Sequence, residues 1–161
     1  MSGWTIISLG SRFRGDDGVG PYVLDRLRGR FAGRVPLVEN GGDMPRLLQD
    51  WSGRWVCLVD AVIAEGHAVG DIIRLDGLVE AVAPSPCTTS SHGLNLAEAL
   101  EMGKVVGALP ARLEIFAVCG ADFTTGTALS RAVKSAAASV EMEILELLAT
   151  PHGGPECTNT P

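Results

Sequence analysis

The chain has no CxxC pair. Its four cysteines, at positions 57, 87, 119 and 157, lie 30, 32 and 38 residues apart, which leaves neither a zinc knuckle nor a dithiol redox motif. It also has no apolar run near the ~18–20 residues that span a bilayer. The start, Met1-Ser2-Gly3-Trp4, carries no basic region, and the apolar stretch Ile6 to Leu9 is too short for a signal peptide. Basic residues are in the minority, with 13 Lys+Arg against 19 Asp+Glu, a net charge of −6 and a pI near 5.0. A nucleic-acid partner, which needs a basic face for phosphate contacts, is therefore excluded. No GxSxG elbow of a serine hydrolase and no phosphate loop of the GxxxxGKS/T type occurs. Gly15, Gly18 and Gly20 suggest a dinucleotide turn, but the acidic pair between Gly15 and Gly18 would repel a pyrophosphate. What remains is an ordinary soluble composition: 161 residues, 46% hydrophobic and 20% charged, enough for one domain with a real core. Two of the cysteines fall in apolar strand-like runs, as reduced buried thiols do, and the cytosol is the expected compartment.

Strand-like and helix-like segments alternate. Trp4 to Leu9 reads as a first strand closed by Gly10. Val19, Val23, Leu27 and Phe31 then recur every four residues and predict a helix, with Pro21 in its first turn. Val35 to Glu39 is a second strand, stopped by Asn40-Gly41-Gly42, and Pro45 to Trp51 a short helix. Trp55 to Val59 is continuously apolar, as a central strand covered on both faces would be. Asp71 to Leu75 is more polar and belongs nearer an edge. Val82 to Ser91, with two prolines and a Ser/Thr cluster, reads as a loop. Leu94 to Gly103 forms a further helix and Leu113 to Val118 the last strand. Ser130 can cap a long final helix whose face is Val133, Ala137, Val140, Ile144 and Leu148. The expectation is a single α/β domain over 1–149, a three-layer α/β/α sandwich with a mostly parallel five-stranded sheet, followed by a disordered tail over 150–161.

In such sheets, sites form beyond the carboxyl ends of the strands. The chemistry-bearing residues there are Asp16 and Asp17 after the first strand, Asp60 after the central one, and His92 at the opening of a helix. The acidic pair can serve merely to cap its helix and complement the dipole; adjacent residues diverge, however, so one can cap while the other faces the crevice. A carboxylate directly after five apolar strand residues is partly buried, and needs a cation, N–H donors or a metal. The positive end of a helix dipole keeps a first-turn imidazole neutral, with a lone pair for a cation. Two carboxylates and one neutral imidazole suit a divalent ion such as nickel, zinc, manganese or iron(II). His67 reads as an exposed turn residue, and His152 belongs to the tail.

The segment Gly10-Ser11-Arg12-Phe13-Arg14-Gly15-Asp16-Asp17-Gly18-Val19-Gly20 resembles the opening motif of the hydrogenase maturation proteases. Asn40-Gly41-Gly42-Asp43 stands where that family has an acidic-Gly-Gly turn. Val59-Asp60-Ala61 matches its strand-end aspartate and Ser91-His92-Gly93-Leu94 its histidine segment; the resemblance runs over roughly residues 4 to 149. It implies the same α/β/α fold. It further implies an endopeptidase that removes a C-terminal extension from the large-subunit precursor of a nickel–iron hydrogenase once nickel is inserted. The nickel-recognising residues carry over to Asp17, Asp60 and His92, with the nickel brought by the precursor; the catalytic set carries over to Asp17, Asp60 and Asp43. Asp43, Glu39 and Asp16 are all open as general base. Ser11 replaces the family's usual Asn, and Asn40 replaces the acid of the Gly-Gly turn. Two other readings compete. Asp16, Asp17 and Asp60 also fit a phosphoacceptor receiver domain, although the lysine that such a domain carries after its last strand is absent from Cys119-Gly120-Ala121-Asp122. A metal-binding accessory homologue that docks its partner without cleaving it is the other.

Overall fold

The computed structural model describes residues 3–79, 87–89 and 96–151, with residues 87–89 described by their backbone. Among the described residues six strands and four α-helices follow one another as β1 (Trp4–Leu9), α1 (Val19–Leu27), β2 (Leu37–Asn40), α2 (Met44–Trp51), β3 (Trp55–Ala64), β4 (Ile72–Asp76), β5 (Cys87–Thr89), α3 (Leu96–Val106), β6 (Arg112–Cys119) and α4 (Arg131–Ala149). Five strands lie in the order β2-β1-β3-β6-β4, and the short β5 adds to β3. β2, β1, β3 and β6 are mutually parallel; the edge strand β4 runs antiparallel to β6.

Side-chain alternation splits the core into two layers. Trp4, Ile6, Cys57, Val59, Phe116 and Val118 face α1 and α4. Ile7, Leu9, Val56, Leu58, Leu113 and Ile115 face α2 and α3. Both faces of the sheet are thus covered, as the continuous apolar run Trp55 to Val59 requires. The arrangement is the expected α/β/α sandwich with a mostly parallel sheet. Cys57 and Cys119 are buried and in no disulfide, and burial pushes the Cys57 thiol well up, beyond nucleophilic use. Among the described residues no helix is long and apolar enough to cross a membrane.

Four local expectations are corrected. The first helix stops at Leu27 rather than extending to Phe31; Phe31 instead packs, half-buried, from the following turn against the same core. The central strand does not end at Val59. Ala61-Val62-Ile63-Ala64 continues the apolar run, and pairing with β6 and β5 carries the strand to Ala64, so Asp60 lies inside β3 rather than after it. Within the supposed loop 82–91, Cys87–Thr89 pairs antiparallel with Val62, Ile63 and Ala64. Ser130 occupies the N-cap position of α4 but makes no side-chain cap bond. Its hydroxyl turns away to Asp16. The rest of that loop, His92 and the tail from residue 152 lie outside the described residues.

Candidate active site

Every parallel strand delivers its carboxyl end to one rim, and the sheet's order reverses direction between β1 and β3. That crevice is where α/β sheets of this kind bind ligands. The pairing leaves a notch there. β1 pairs with β3 from Trp55 to Val59, and β5 resumes at Val62. Because Val62 already pairs with Cys119 of β6 on one side, β5 must lie on the side β1 occupies lower down. Asp60 and Ala61 fall in the break between the two.

β1 turns sharply at Gly10, whose φ of 106° favours glycine. A Cβ there would collide with the Asp17 carbonyl and sit 2.9 Å from Asp17 Oδ1. Ser11 donates its backbone N–H to Asp17 Oδ2 at 2.8 Å. A 3-10 turn, Gly15–Gly18, then leads into α1 and buries both acids. The two diverge, as adjacent residues should. Asp16 faces the far side of the turn, where its Oδ2 accepts the Ala121 and Asp122 N–H groups at 2.8 and 3.3 Å. Ser130 donates its N–H to Asp16 Oδ1 at 2.7 Å and its hydroxyl to Oδ2 at 3.2 Å. Asp16 thus binds the start of α4 rather than capping its own helix.

Asp60 is 6% exposed and lies on the sheet face shared by Leu58 and Val62. Ala61 N–H donates to its Oδ1 at 2.8 Å, and among the described residues its other oxygen has no hydrogen-bond partner. Burial first, and the nearby charge of Asp17 second, push its pKa up to about 8, against the smaller opposing pull of the Ala61 N–H. Asp17 and Asp60 are thus both buried, and near enough for the charge of one to act on the other. Among the described residues no cluster of three or more His, Cys, Asp or Glu side chains is arranged to hold a metal ion.

The remaining acids are held differently. Asn40 is buried and organises the Gly-Gly turn: its Oδ1 accepts the Gly42 and Asp43 N–H groups, both at 2.8 Å, and its Nδ2 donates to the Asp43 carbonyl at 2.8 Å. Asp43 is exposed and caps α2, its Oδ1 accepting the Arg46 N–H at 3.0 Å. Glu39 is engaged by Arg12, whose Nε and Nη2 donate to Glu39 Oε1 and Oε2 at 2.7 and 2.9 Å, while Nη1 and Nη2 reach Asp25 at 2.6 and 2.8 Å. This Arg12 bridge has no periodic signature, because its partners are 13 and 27 residues away. His67 is exposed, with Nδ1 3.5 Å from Asp71 Oδ2.

A family model described as hydrogenase maturation protease matches residues 21–147. Among solved structures, the chain is similar to the hydrogenase maturating endopeptidase HybD from Escherichia coli (TM-score 0.75, 20% identity, 90% of this chain and 91% of that one). It is similar also to the NiFe hydrogenase maturation protease HybD from Thermococcus kodakarensis (TM-score 0.71, 22% identity, 91% and 99%). HycI from Thermococcus kodakarensis KOD1, another NiFe hydrogenase maturation protease, aligns with a TM-score of 0.65 at 22% identity, covering 91% and 92%. Among curated proteins none matches.

Proposed function

The chain belongs to the hydrogenase maturation protease family, whose members are hydrolases, and on that premise we propose that it is the endopeptidase removing a C-terminal extension from a nickel–iron hydrogenase large-subunit precursor after nickel insertion. The family membership sets aside the receiver-domain alternative. The observation that carries the reading is the buried Asp17–Asp60 pair at the crevice between β1 and β3. Burial and the charge of Asp17 keep Asp60 protonated up to about pH 8, and a cation bound there would take the place of that proton. Nickel, arriving as part of the substrate, would displace the Asp60 proton and leave both carboxylates ionised against the cation. His92 is proposed as the third ligand. It follows Thr89 by three residues, and Thr89 pairs with Val62, two residues beyond Asp60. Fully extended, three residues reach about 11 Å at most, so the crevice is within range of the imidazole.

Selectivity then follows from binding. A nickel-loaded precursor gains the carboxylate and imidazole contacts; an empty one does not. Of the three acids open as general base, Asp16 is occupied by the amides of the far loop and Glu39 by Arg12. Asp43 spends one oxygen on its helix cap and keeps the other, which supports it as the group that takes a proton from an attacking water. Gly42, at φ 123°, provides the turn beside it, and a Cβ at Gly41 would meet no atom within 4 Å. The turn thus leaves room for a substrate backbone.

The test is to incubate the protein with nickel-loaded and nickel-free precursor and weigh the products. Cleavage of the loaded form alone is expected. His92→Ala and Asp60→Asn should abolish it while leaving the circular dichroism of the domain unchanged. Equal cleavage of both precursors, or full activity in both variants, would overturn the reading. Tight binding of loaded precursor without cleavage would instead favour the accessory role that the amide at Asn40 suggests.

A further inference from the structure

Eight large apolar side chains are exposed among the described residues, and Phe13 is the sole aromatic among them, with 73% of its surface in solvent. Scattered exposed valines and methionines are ordinary on a protein surface. Phe13 differs in place and in rigidity. It lies on the short loop between Gly10 and Asp17, at the rim that carries the acidic pair. The backbone of that loop is fixed on every side. Gly126 donates its N–H to the Phe13 carbonyl at 2.7 Å, and Phe13 N–H donates to Ser11 Oγ at 3.3 Å. Its neighbour Arg12 is tied to Asp25 and Glu39 by four hydrogen bonds, and Asp17 holds Ser11.

A benzyl group displayed by an immobilised loop is the form a binding anchor takes. It buries a large area with little loss of conformational freedom, because the loop is already ordered. Arg12 also has its charge matched within the molecule, so a partner that buries this loop need not supply an acid of its own.

We infer that Phe13 is the docking anchor for the protein substrate: it inserts into an apolar recess on the folded body of the precursor and so seats the cleavable extension at the Asp17–Asp60 crevice. This rests on the proposed function, and it assigns to Phe13 affinity for the precursor rather than chemistry.

The experiment compares the wild-type chain with Phe13→Ala and Phe13→Leu, using nickel-loaded large-subunit precursor from the same organism, and measures both Kd and the steady-state KM and kcat. Phe13→Ala should weaken binding and raise KM by about 10–30-fold, the range of an interface anchor. Its kcat should stay within twofold, and Phe13→Leu should recover part of the affinity. Val106→Ala is the control. Val106 is also exposed, but it ends α3 just before the chain enters β6 at the opposite rim, and it should change nothing. Wild-type cleavage with an unaltered Kd and KM in Phe13→Ala would overturn the anchor while leaving the protease reading intact. A wild-type chain that neither binds nor cleaves the precursor would overturn both.

Discussion

Asp16 accepts the Ser130 N–H at 2.7 Å and the Ser130 hydroxyl at 3.2 Å, across 114 residues of sequence. The first loop of the chain and the amino end of its last helix are thereby one piece of structure. The same carboxylate takes the Ala121 and Asp122 amides, so the loop leaving β6 is fixed to it as well. Asp17 is the next residue, and its direction into the crevice is set by what holds Asp16.

Asp16→Ala should therefore cost about 3 kcal/mol, since buried donors to a charged acceptor lose their partner together. Asp16→Asn, which keeps one acceptor oxygen, should cost distinctly less. Urea midpoints at neutral pH measure both. A loss below about 1 kcal/mol for the alanine would mean that the amides find other acceptors.

Asp60 makes the stability of the metal-free protein depend on pH in an unusual direction. Its carboxyl is protonated in both states below its ordinary value of 3.8, and ionised in both above about 8. Between those limits the folded chain holds a proton that the unfolded chain has released. Stability from this group is therefore complete at low pH and falls as pH rises, by about 1.4 kcal/mol per unit. Denaturant curves of wild type and Asp60→Asn from pH 5 to pH 8 should diverge steadily, with the wild type losing ground. Parallel curves would show that Asp60 titrates as an ordinary surface acid.

Gly20→Ala tests packing against propensity. Gly20 is the second residue of α1, and replacing a helical glycine by alanine normally gains up to about 1 kcal/mol. Here a Cβ would lie 2.9 Å from the Leu9 carbonyl, the Val59 carbonyl and Ser8 Cβ, with α1 pressed onto the backbones of β1 and β3. A net loss of about 2 kcal/mol is expected instead. Thermal melts with a raised Tm would contradict it.

Asp43→Asn separates a cap from a base. Asparagine caps helices as well as aspartate, whereas alanine loses about 1 kcal/mol. Asp43→Asn should thus melt like the wild type yet fail to process precursor. Retained processing would leave Asp43 as a cap only.

Glu141 is buried between two arginines, with Arg26 Nε at 2.6 Å and Arg30 Nη2 at 3.0 Å. The arginines are largely open to solvent and the glutamate is not. Removing both arginines leaves a buried charge unpaired, so Arg26→Ala with Arg30→Ala should be less stable than Glu141→Gln. The opposite order in chemical denaturation would show that the glutamate protonates at little cost.

The layers of this protein were legible because burial imposes a period on each element. Val133, Ala137, Val140 and Ile144 return to one side of a helix, and Trp55 to Val59 has no polar face at all. Asp17 and Asp60 were legible for a related reason, since an acid beside an apolar strand is conspicuous. The end of β3 was not, because Asp60 interrupts the run that would otherwise have shown it extending to Ala64. Nor were β5 and the role of Ser130. Cys87–Thr89 becomes a strand through the free flank of β3 beyond Val59, and Ser130 abandons its cap for a carboxylate 114 residues earlier.

Sequence by itself determined the four helices and every described strand except β5, which face of each is apolar, and which acids stand near strand ends, because these follow from the spacing of side chains along a local period. The tertiary structure alone decided that Asp16 is consumed as a clasp while Asp17 lies buried near Asp60, that Glu39 is occupied by Arg12, and that Phe13 is held out into solvent. Hydrogen bonds and charge coupling depend on distance in space, and residues far apart in the chain acquire that distance only when the sheet has closed.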